Sequence, residues 1–251
     1  MSYKDHEPFD LARAEFKIHQ LEGFEKDNIT NSFAGYVNEV IGRINDGKEA
    51  TVYLCRAPDG NHLAAKVYKA RHFRHFDTDR NYRNFGKMRD RRLARAMRGG
   101  SKKGKQAFHK HWIDSEWRML NALFDMGVRV PKPHAHSDDG ILMDFVSDGQ
   151  GPAPRLVNCR LEPDEAARLL GAILADAGTM IENDIVHGDF SAYNILYDGS
   201  QHCIIDLPQA IDVRLAPDAY SLFQRDLVNI ERYFAKYGLA VPIEEMMRQY
   251  F

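Results

Sequence analysis

Residues 186–209 read VHGDFSAYNILYDGSQHCIIDLPQ, and this stretch decides the fold. His187 and Asp189 are followed by Asn194, an H-x-D-x-x-x-x-N spacing. A short hairpin then leads to Ile204-Ile205-Asp206. Asp189 stands where a base accepts or orients a hydroxyl proton in phosphoryl transfer. Asn194 and Asp206 are hard oxygen ligands of the kind that hold Mg2+ together with phosphates. An ordinary turn rich in Asp and Asn would explain the first motif alone. The apolar strand that delivers Asp206 at hairpin distance argues against that plainer reading. His187 reads as structural, packing beneath the loop that carries Asp189.

Upstream, three short β-prone runs lie in sequence. Val37 to Ile44 suggests a strand, followed by the turn Asn45-Asp46-Gly47-Lys48. Ala50 to Arg56 (ATVYLCR) is β-branched and aromatic, and Pro58-Asp59-Gly60-Asn61 is a strong turn signal. His62 to Tyr68 (HLAAKVY) is the next strand, so the three form an antiparallel meander. Gly47 lets the first turn approach phosphates closely, although a single glycine equally suits a plain hairpin turn. Asp46 would repel phosphate unless it points away. Lys66 has apolar neighbours on both sides, a setting for a lysine that either snorkels at a sheet edge or is held inside for a purpose. Trp112, Glu116, Met119, Leu120 and Leu123 follow helical spacing, with an end expected near Gly127. Glu116 is the natural partner of Lys66, because leaving either charge buried alone costs roughly 3–5 kcal/mol.

The second half is mostly helical. Val130 to Pro133 reads as an extended connector, and Ile141 to Val146 as a strand running into a Gly- and Pro-rich hinge. Pro163 suits the first turn of a helix whose apolar stripe runs from Ala166 to Ile181. Asp218 to Tyr237 is a second amphipathic helix, with Gly238 as its C-cap, and a short helical tail follows.

The chain has 251 residues, 44% of them hydrophobic, enough for one two-lobed domain with a real core. The formal net charge of −2 gives no global polyanion signal. It conceals a run from Lys69 to Lys110 with fifteen Lys and Arg against three acidic residues, in which Gly99 to Gly104 reads as flexible. Phe73, Phe76, Tyr82 and Phe85 are interleaved with the arginines, the pattern of a segment that contacts RNA or another polyanion; a cover over nucleotide phosphates is the second reading, and a solvated charge run the plain alternative. Cys55, Cys159 and Cys203 are widely spaced, and neither they nor His19, His72, His75, His134 and His136 show metal-ligand spacing. The polar start and the absence of a long apolar run favour a cytoplasmic location without membrane contact.

Together these motifs resemble the RIO-type atypical serine/threonine protein kinases. Asn45-Asp46-Gly47-Lys48-Glu49-Ala50-Thr51-Val52-Tyr53 is similar to that family's S-T-G-K-E-x-x-V-Y phosphate loop, with Asn45 and Asp46 standing in for Ser and Thr. Lys66 matches the strand lysine and Trp112-x-x-x-Glu116 the following helix. Leu142-Met143-Asp144-Phe145-Val146 resembles the L-M-E-F-I hinge, and Pro152-Ala153-Pro154-x-Leu156-Val157 the segment after it. His187 to Asn194 resembles H-x-D-L-S-x-Y-N, Ile204 to Ala210 the metal-Asp strand, and Arg225-Asp226 with Asn229-Ile230 the last helix.

The resemblance implies an α+β, two-lobed protein-kinase-like fold with a small β-rich N-lobe and a reduced α-rich C-lobe. It implies ATP with Mg2+, or Mn2+ in its place. It makes Asp189, Lys66 and Asp206 catalytic, with Asp206 a candidate for transient phosphorylation. Gly47, Lys48, Glu49, Val52, Lys66, Glu116, Met143, Asp144, Val146, Asn194 and Asp206 would bind the nucleotide, and Asn194 and Asp206 the metal. Met143 would be the gatekeeper, with adenine meeting backbone groups near Asp144 and Val146. The expected division is an N-terminal extension over residues 1–35 and a kinase domain over 36–251. Within that domain the N-lobe covers about 36–143, the hinge about 144–154 and the C-lobe about 155–251. Residues 1–35 read as too few and too polar for a winged helix, which points to the branch lacking that domain. A role in ribosome maturation, as kinase or ATPase, comes with the family. Two other classes fit parts of the pattern: a small-molecule phosphotransferase of the aminoglycoside-kinase kind, which shares H-G-D-x-x-x-x-N, and an RNA-binding assembly factor acting through residues 69–110.

Overall fold

The fold is described by a computed structural model covering residues 21, 23–69 and 102–251. Helix α1 (Gly23–Ser32) precedes strands β1 (Glu39–Asp46), β2 (Ala50–Arg56) and β3 (His62–Tyr68). Helix α2 (Lys102–Asp125) follows, then β4 (Pro133–His136) and β5 (Gly140–Asp144). These five strands form one antiparallel sheet in the order β1-β2-β3-β5-β4. The expected three-stranded meander is thus part of a larger sheet. Residues around the Val130–Pro133 connector lead into an edge strand, where the proline at its first position removes no central ladder bond.

Both faces of this sheet are covered, which is why β2 is buried almost throughout. On one face, Tyr53, Cys55, Leu63, Ala65 and Leu142 pack with Ile29 and Phe33 of α1 and its continuation. On the other, Ala50, Tyr68 and Ile141 join Trp112, Ile113, Leu120 and Leu123 of α2. Of the stretch read as an extension over residues 1–35, the described end carries one short helix, packed against the N-lobe sheet through Ile29 and Phe33. Helix α2 also begins at Lys102, so Lys102–Gly104, expected to be flexible, is helical.

The C-lobe is built on α3 (Pro163–Glu182), whose start carries a capping box between Glu162 and Glu165 with Pro163 at the first position. Strands β6 (Ile185–Val186) and β9 (Ile211–Asp212) pair with each other, and β7 (Ile195–Tyr197) with β8 (His202–Ile204). Helix α4 (Ala219–Phe234) packs its buried face, Phe223, Leu227, Ile230 and Phe234, into the same cluster as α3. A short turn then ends on left-handed Gly238, at φ 73°, as the sequence predicts. Helix α5 (Ile243–Tyr250) closes the chain. Among the described residues no helix is long and apolar enough to cross a membrane.

Candidate active site

Sheet register sets the roof of the site. Val52 lies opposite Lys66, which lies opposite Ile141, while Ala64 lies opposite Met143. Alternation then puts Val52, Lys66 and Met143 on one sheet face, the one that meets α2 and the C-lobe. The Lys66 Nζ donates to Glu116 Oε1 at 2.8 Å and to Asp206 Oδ1 at 2.8 Å. Side-chain exposure is 13% for Lys66, 4% for Glu116 and 45% for Asp206, so this lysine joins a buried carboxylate to one that faces the cleft. Burial opposes the Lys66 charge, but the Glu116 and Asp206 carboxylates outweigh it and hold the ammonium above its ordinary pKa. The same lysine holds the Asp206 carboxyl below the usual range, against partial burial.

The floor is the loop after β6. Asn194 donates its side-chain amide to the Asp189 carbonyl at 2.9 Å and to Asp189 Oδ2 at 3.0 Å. The Ile195↔Ile204 register closes the β7–β8 hairpin so that Ile205 N–H donates to the Asn194 carbonyl at 3.0 Å. Asn194 and Asp206 thus stand on either side of one hairpin base. Asp206 itself has φ 68°, a left-handed conformation uncommon for a non-glycine residue and frequent at functional sites.

His187 is structural, as its position suggested. Its ring accepts from the Asp189 N–H through Nδ1 at 3.3 Å, and Nε2 lies 3.1 Å from the Ile205 carbonyl. Burial pushes its pKa down, which suits a neutral ring with the proton on Nε2. One imidazole therefore ties the Asp189 loop to the strand that delivers Asp206.

A residue the site reading missed holds this loop from below. Asp226 of α4 accepts from Gly188 N–H at 2.7 Å and from Phe190 N–H at 3.0 Å, while Arg225 donates to the Gly188 carbonyl. Its signal in the sequence was only the Arg225-Asp226 pair, 36 to 38 positions from the amides it binds.

The β1–β2 turn is anchored elsewhere. Gly47 N–H donates to the Ala50 carbonyl at 3.0 Å, and a Cβ on Gly47 would lie 3.1 Å from that oxygen. Lys48 is exposed, and the Glu49 carbonyl accepts from Lys69 N–H at 2.8 Å. The turn is joined to the end of β3 rather than to the Lys66, Glu116 and Asp206 group. At the hinge, Asp144 N–H donates to the Lys132 carbonyl at 2.9 Å and the Val146 carbonyl accepts from Ala153 at 2.9 Å. His134, which shows no metal-ligand spacing in the sequence, lies 2.6 Å from the Asp144 carboxylate. His136 lies 3.5 Å from Asp114 and stacks on Trp117. His19, His72, His75 and most of the basic run fall outside the described residues.

A lysine held between a buried glutamate and a cleft aspartate, above a loop that pairs an aspartate with an asparagine, defines a protein-kinase-like fold and site. Comparison narrows the class. The RIO domain profile matches residues 51–247, and the chain belongs to that family. The chain is 30% identical over 211 residues to the RIO-type serine/threonine-protein kinase Rio1 of Haloferax volcanii, covering 81% of this chain and 66% of that one. It is 29% identical to the serine/threonine-protein kinase rio1 of Schizosaccharomyces pombe, over 80% of this chain but 39% of the yeast protein. The chain spans about two fifths or less of the eukaryotic relatives it matches. In fold it is similar to the Rio2 kinase of Chaetomium thermophilum solved as an ADP/Mg2+-phosphoaspartate complex, with TM-score 0.66 and 22% identity over 91% of this chain and 67% of that one.

Proposed function

We propose that this chain is an ATP- and Mg2+-dependent serine/threonine kinase and/or ATPase of the RIO type. The observation that carries the reading is Lys66 bridging Glu116 and Asp206 at 2.8 Å each, beside the paired Asp189 and Asn194. Family membership and the kinase names of its relatives support it.

The residues suit the groups they would hold. Asn194 spends its amide N–H groups on Asp189, which leaves its carbonyl oxygen for a cation, and Asp206 has one carboxylate oxygen beyond Lys66. Among the described residues no cluster of three or more His, Cys, Asp or Glu forms a metal cage. An Asn and Asp pair matches Mg2+, which keeps waters and borrows phosphate oxygens, and Mn2+ fits the same donors. The bound cation would neutralise charge that develops on the transferring phosphoryl group.

Lys66 presents its ammonium to the α- and β-phosphates, aimed by Glu116. Gly47, Lys48 and Glu49 cover the phosphates, with Val52 above the adenine. Met143, Asp144 and Val146 receive the base at the hinge. Asp189 orients the acceptor hydroxyl and takes its proton, held in place by Asn194 and by the Asp226 contacts beneath it. The protein's task is positioning and electrostatics, with little covalent chemistry. The solved Rio2 neighbour contains a phosphoaspartate; here Asp206 is the candidate to carry one.

The fifteen basic residues of the 69–110 run support contact with RNA or a ribosomal subunit as a second property, compatible with the first and with a cytoplasmic location. The deciding experiment is incubation with γ-labelled ATP and Mg2+, following released phosphate and protein-bound label, beside Asp189→Ala. Turnover in the wild type alone supports the reading, and mapping the label to Ser/Thr or to Asp206 separates kinase from hydrolase. Equal turnover in both proteins overturns it, and efficient labelling of an amino sugar instead would favour a small-molecule phosphotransferase.

A further inference from the structure

Asp46 is a problem at the tip of a phosphate loop, since a carboxylate there opposes a triphosphate. In this fold it is turned to another use. Asp46 Oδ1 lies 2.5 Å from Lys69 Nζ and accepts from Thr51 Oγ1 at 2.8 Å, and its Oδ2 lies 3.7 Å from Arg43. Lys69 also donates from Nζ to the Gly47 carbonyl at 2.7 Å, and its backbone N–H donates to the Glu49 carbonyl at 2.8 Å. Residue 69 thus meets the turn at three points: its ammonium at the Asp46 carboxylate and the Gly47 carbonyl, and its main-chain N–H at the Glu49 carbonyl. Hydrogen bonds from Lys69 and Thr51 hold the Asp46 carboxyl below its ordinary pKa, so it stays ionised and paired. The pairing continues away from the turn, because Arg43 also reaches Glu25 of α1 at 3.4 Å.

We propose that Lys69 is a positioning residue for the nucleotide, its side chain holding the β1–β2 turn in its receiving shape by neutralising Asp46 and anchoring the Gly47 carbonyl. The inference deepens the nucleotide-binding reading above and rests on it. The physical case is a balance of charge and of backbone direction. With Asp46 engaged by Lys69, Thr51 and Arg43, and the Gly47 amide held by the Ala50 carbonyl, the loop offers phosphates the exposed Lys48. Without the Lys69 ammonium, the turn loses one positive charge and Asp46 faces the same phosphates less compensated. The Gly47 carbonyl also loses the donor that keeps it turned toward the sheet. The effect belongs to ground-state binding, since the Lys66, Asp189 and Asp206 contacts are separate from the turn.

The test is a double-mutant cycle read in ATP–Mg2+ kinetics and nucleotide binding, using wild type, Lys69→Ala, Lys69→Arg, Asp46→Asn and the double variant Asp46→Asn/Lys69→Ala. Lys69→Ala is expected to raise KM for ATP by about tenfold with a smaller change in kcat, and Lys69→Arg to restore most of the affinity. In the Asp46→Asn background the same Lys69→Ala change is expected to cost only about twofold, because the charge it neutralises is gone. Equal losses in the two backgrounds overturn the proposal and make Lys69 a direct phosphate ligand. A second readout needs no nucleotide. Amide hydrogen exchange at Gly47 is expected to speed up in Lys69→Ala, and unchanged exchange overturns the proposal. A wild type that binds no ATP retracts the kinase reading, while the exchange experiment still decides whether Lys69 orders the turn.

Discussion

Lys66 and Glu116 are 50 residues apart in sequence and 2.8 Å apart in the fold. The pair crosses from β3 to α2, so it reports directly whether the helix is seated against the sheet. Glu116 is nearly fully buried, and burial pushes its carboxyl pKa up, with Lys66 opposing that shift. Removing the lysine leaves a buried acid without its cation. Lys66→Met is expected to destabilise by about 3 kcal/mol in urea unfolding and to abolish phosphoryl transfer. The double variant Lys66→Met/Glu116→Leu is expected to recover most of the stability and none of the activity. A double variant as unstable as the single one would show that the pair is not what Lys66→Met disrupts.

Asp226 gives the fold a pH signature. Burial pushes its pKa up to about 7, although the Gly188 and Phe190 amides favour the ionised form. A folded pKa above the unfolded one means that the native state binds the extra proton. The associated stability is fully present below about pH 4 and is lost as pH rises to about 7, with a slope approaching ~1.4 kcal/mol per pH unit. Asp226→Asn is expected to flatten that part of the stability curve. It also turns a side-chain NH2 toward a backbone donor, so activity falls with the loop unclamped. An unchanged pH slope in Asp226→Asn would rule out Asp226 as its source.

Gly188 sits where the loop and the segment after Asp206 touch. Its φ is 79°, and a Cβ there would lie 2.6 Å from the Gln209 carbonyl oxygen. Gly188→Ala is expected to cost about 2 kcal/mol of stability through backbone strain. The activity loss should be larger, because Gly188 carries contacts from both Arg225 and Asp226. Since the opposing atom is main chain, Gln209→Ala is expected to rescue neither property. Thermal unfolding and ATP turnover on Gly188→Ala, Gln209→Ala and the double variant check this, and rescue in the double variant would place the clash in the side chain.

The parts of this architecture that were legible in the sequence are those whose chemistry needs fixed local spacing. His187, Asp189 and Asn194 share one loop, and Asp206 follows across a hairpin of only a few residues on each side. Lys66 and Glu116 were legible because a buried charge requires a partner. The edge strand Pro133–His136 was not, since it carries a proline and two polar histidines and no apolar alternation. The start of α2 was hidden by lysines and a glycine, where helix is continued from a packed C-terminal half rather than favoured locally. Asp226 acts on the backbone amides of Gly188 and Phe190, which leave no trace in side-chain patterns.

Helix α1 shows how little signal a structural element needs. Over Gly23–Ser32 the residues are mostly polar, and the i, i+4 pair Ile29 and Phe33 is its main apolar mark. Yet Phe33 is 2% exposed and packs into the cluster with Tyr53, Leu63 and Leu142 on the outer face of the N-lobe sheet. Phe33→Ala is expected to destabilise the chain by about 3–5 kcal/mol, the cost of a cavity in a closed core. Phe33→Leu should cost considerably less, since it refills most of the volume. Because the same sheet carries Lys66 on its opposite face, the alanine variant is also expected to weaken nucleotide binding. Urea unfolding of both variants decides the matter: a loss below about 1 kcal/mol for Phe33→Ala would return the helix to the status of an appended segment.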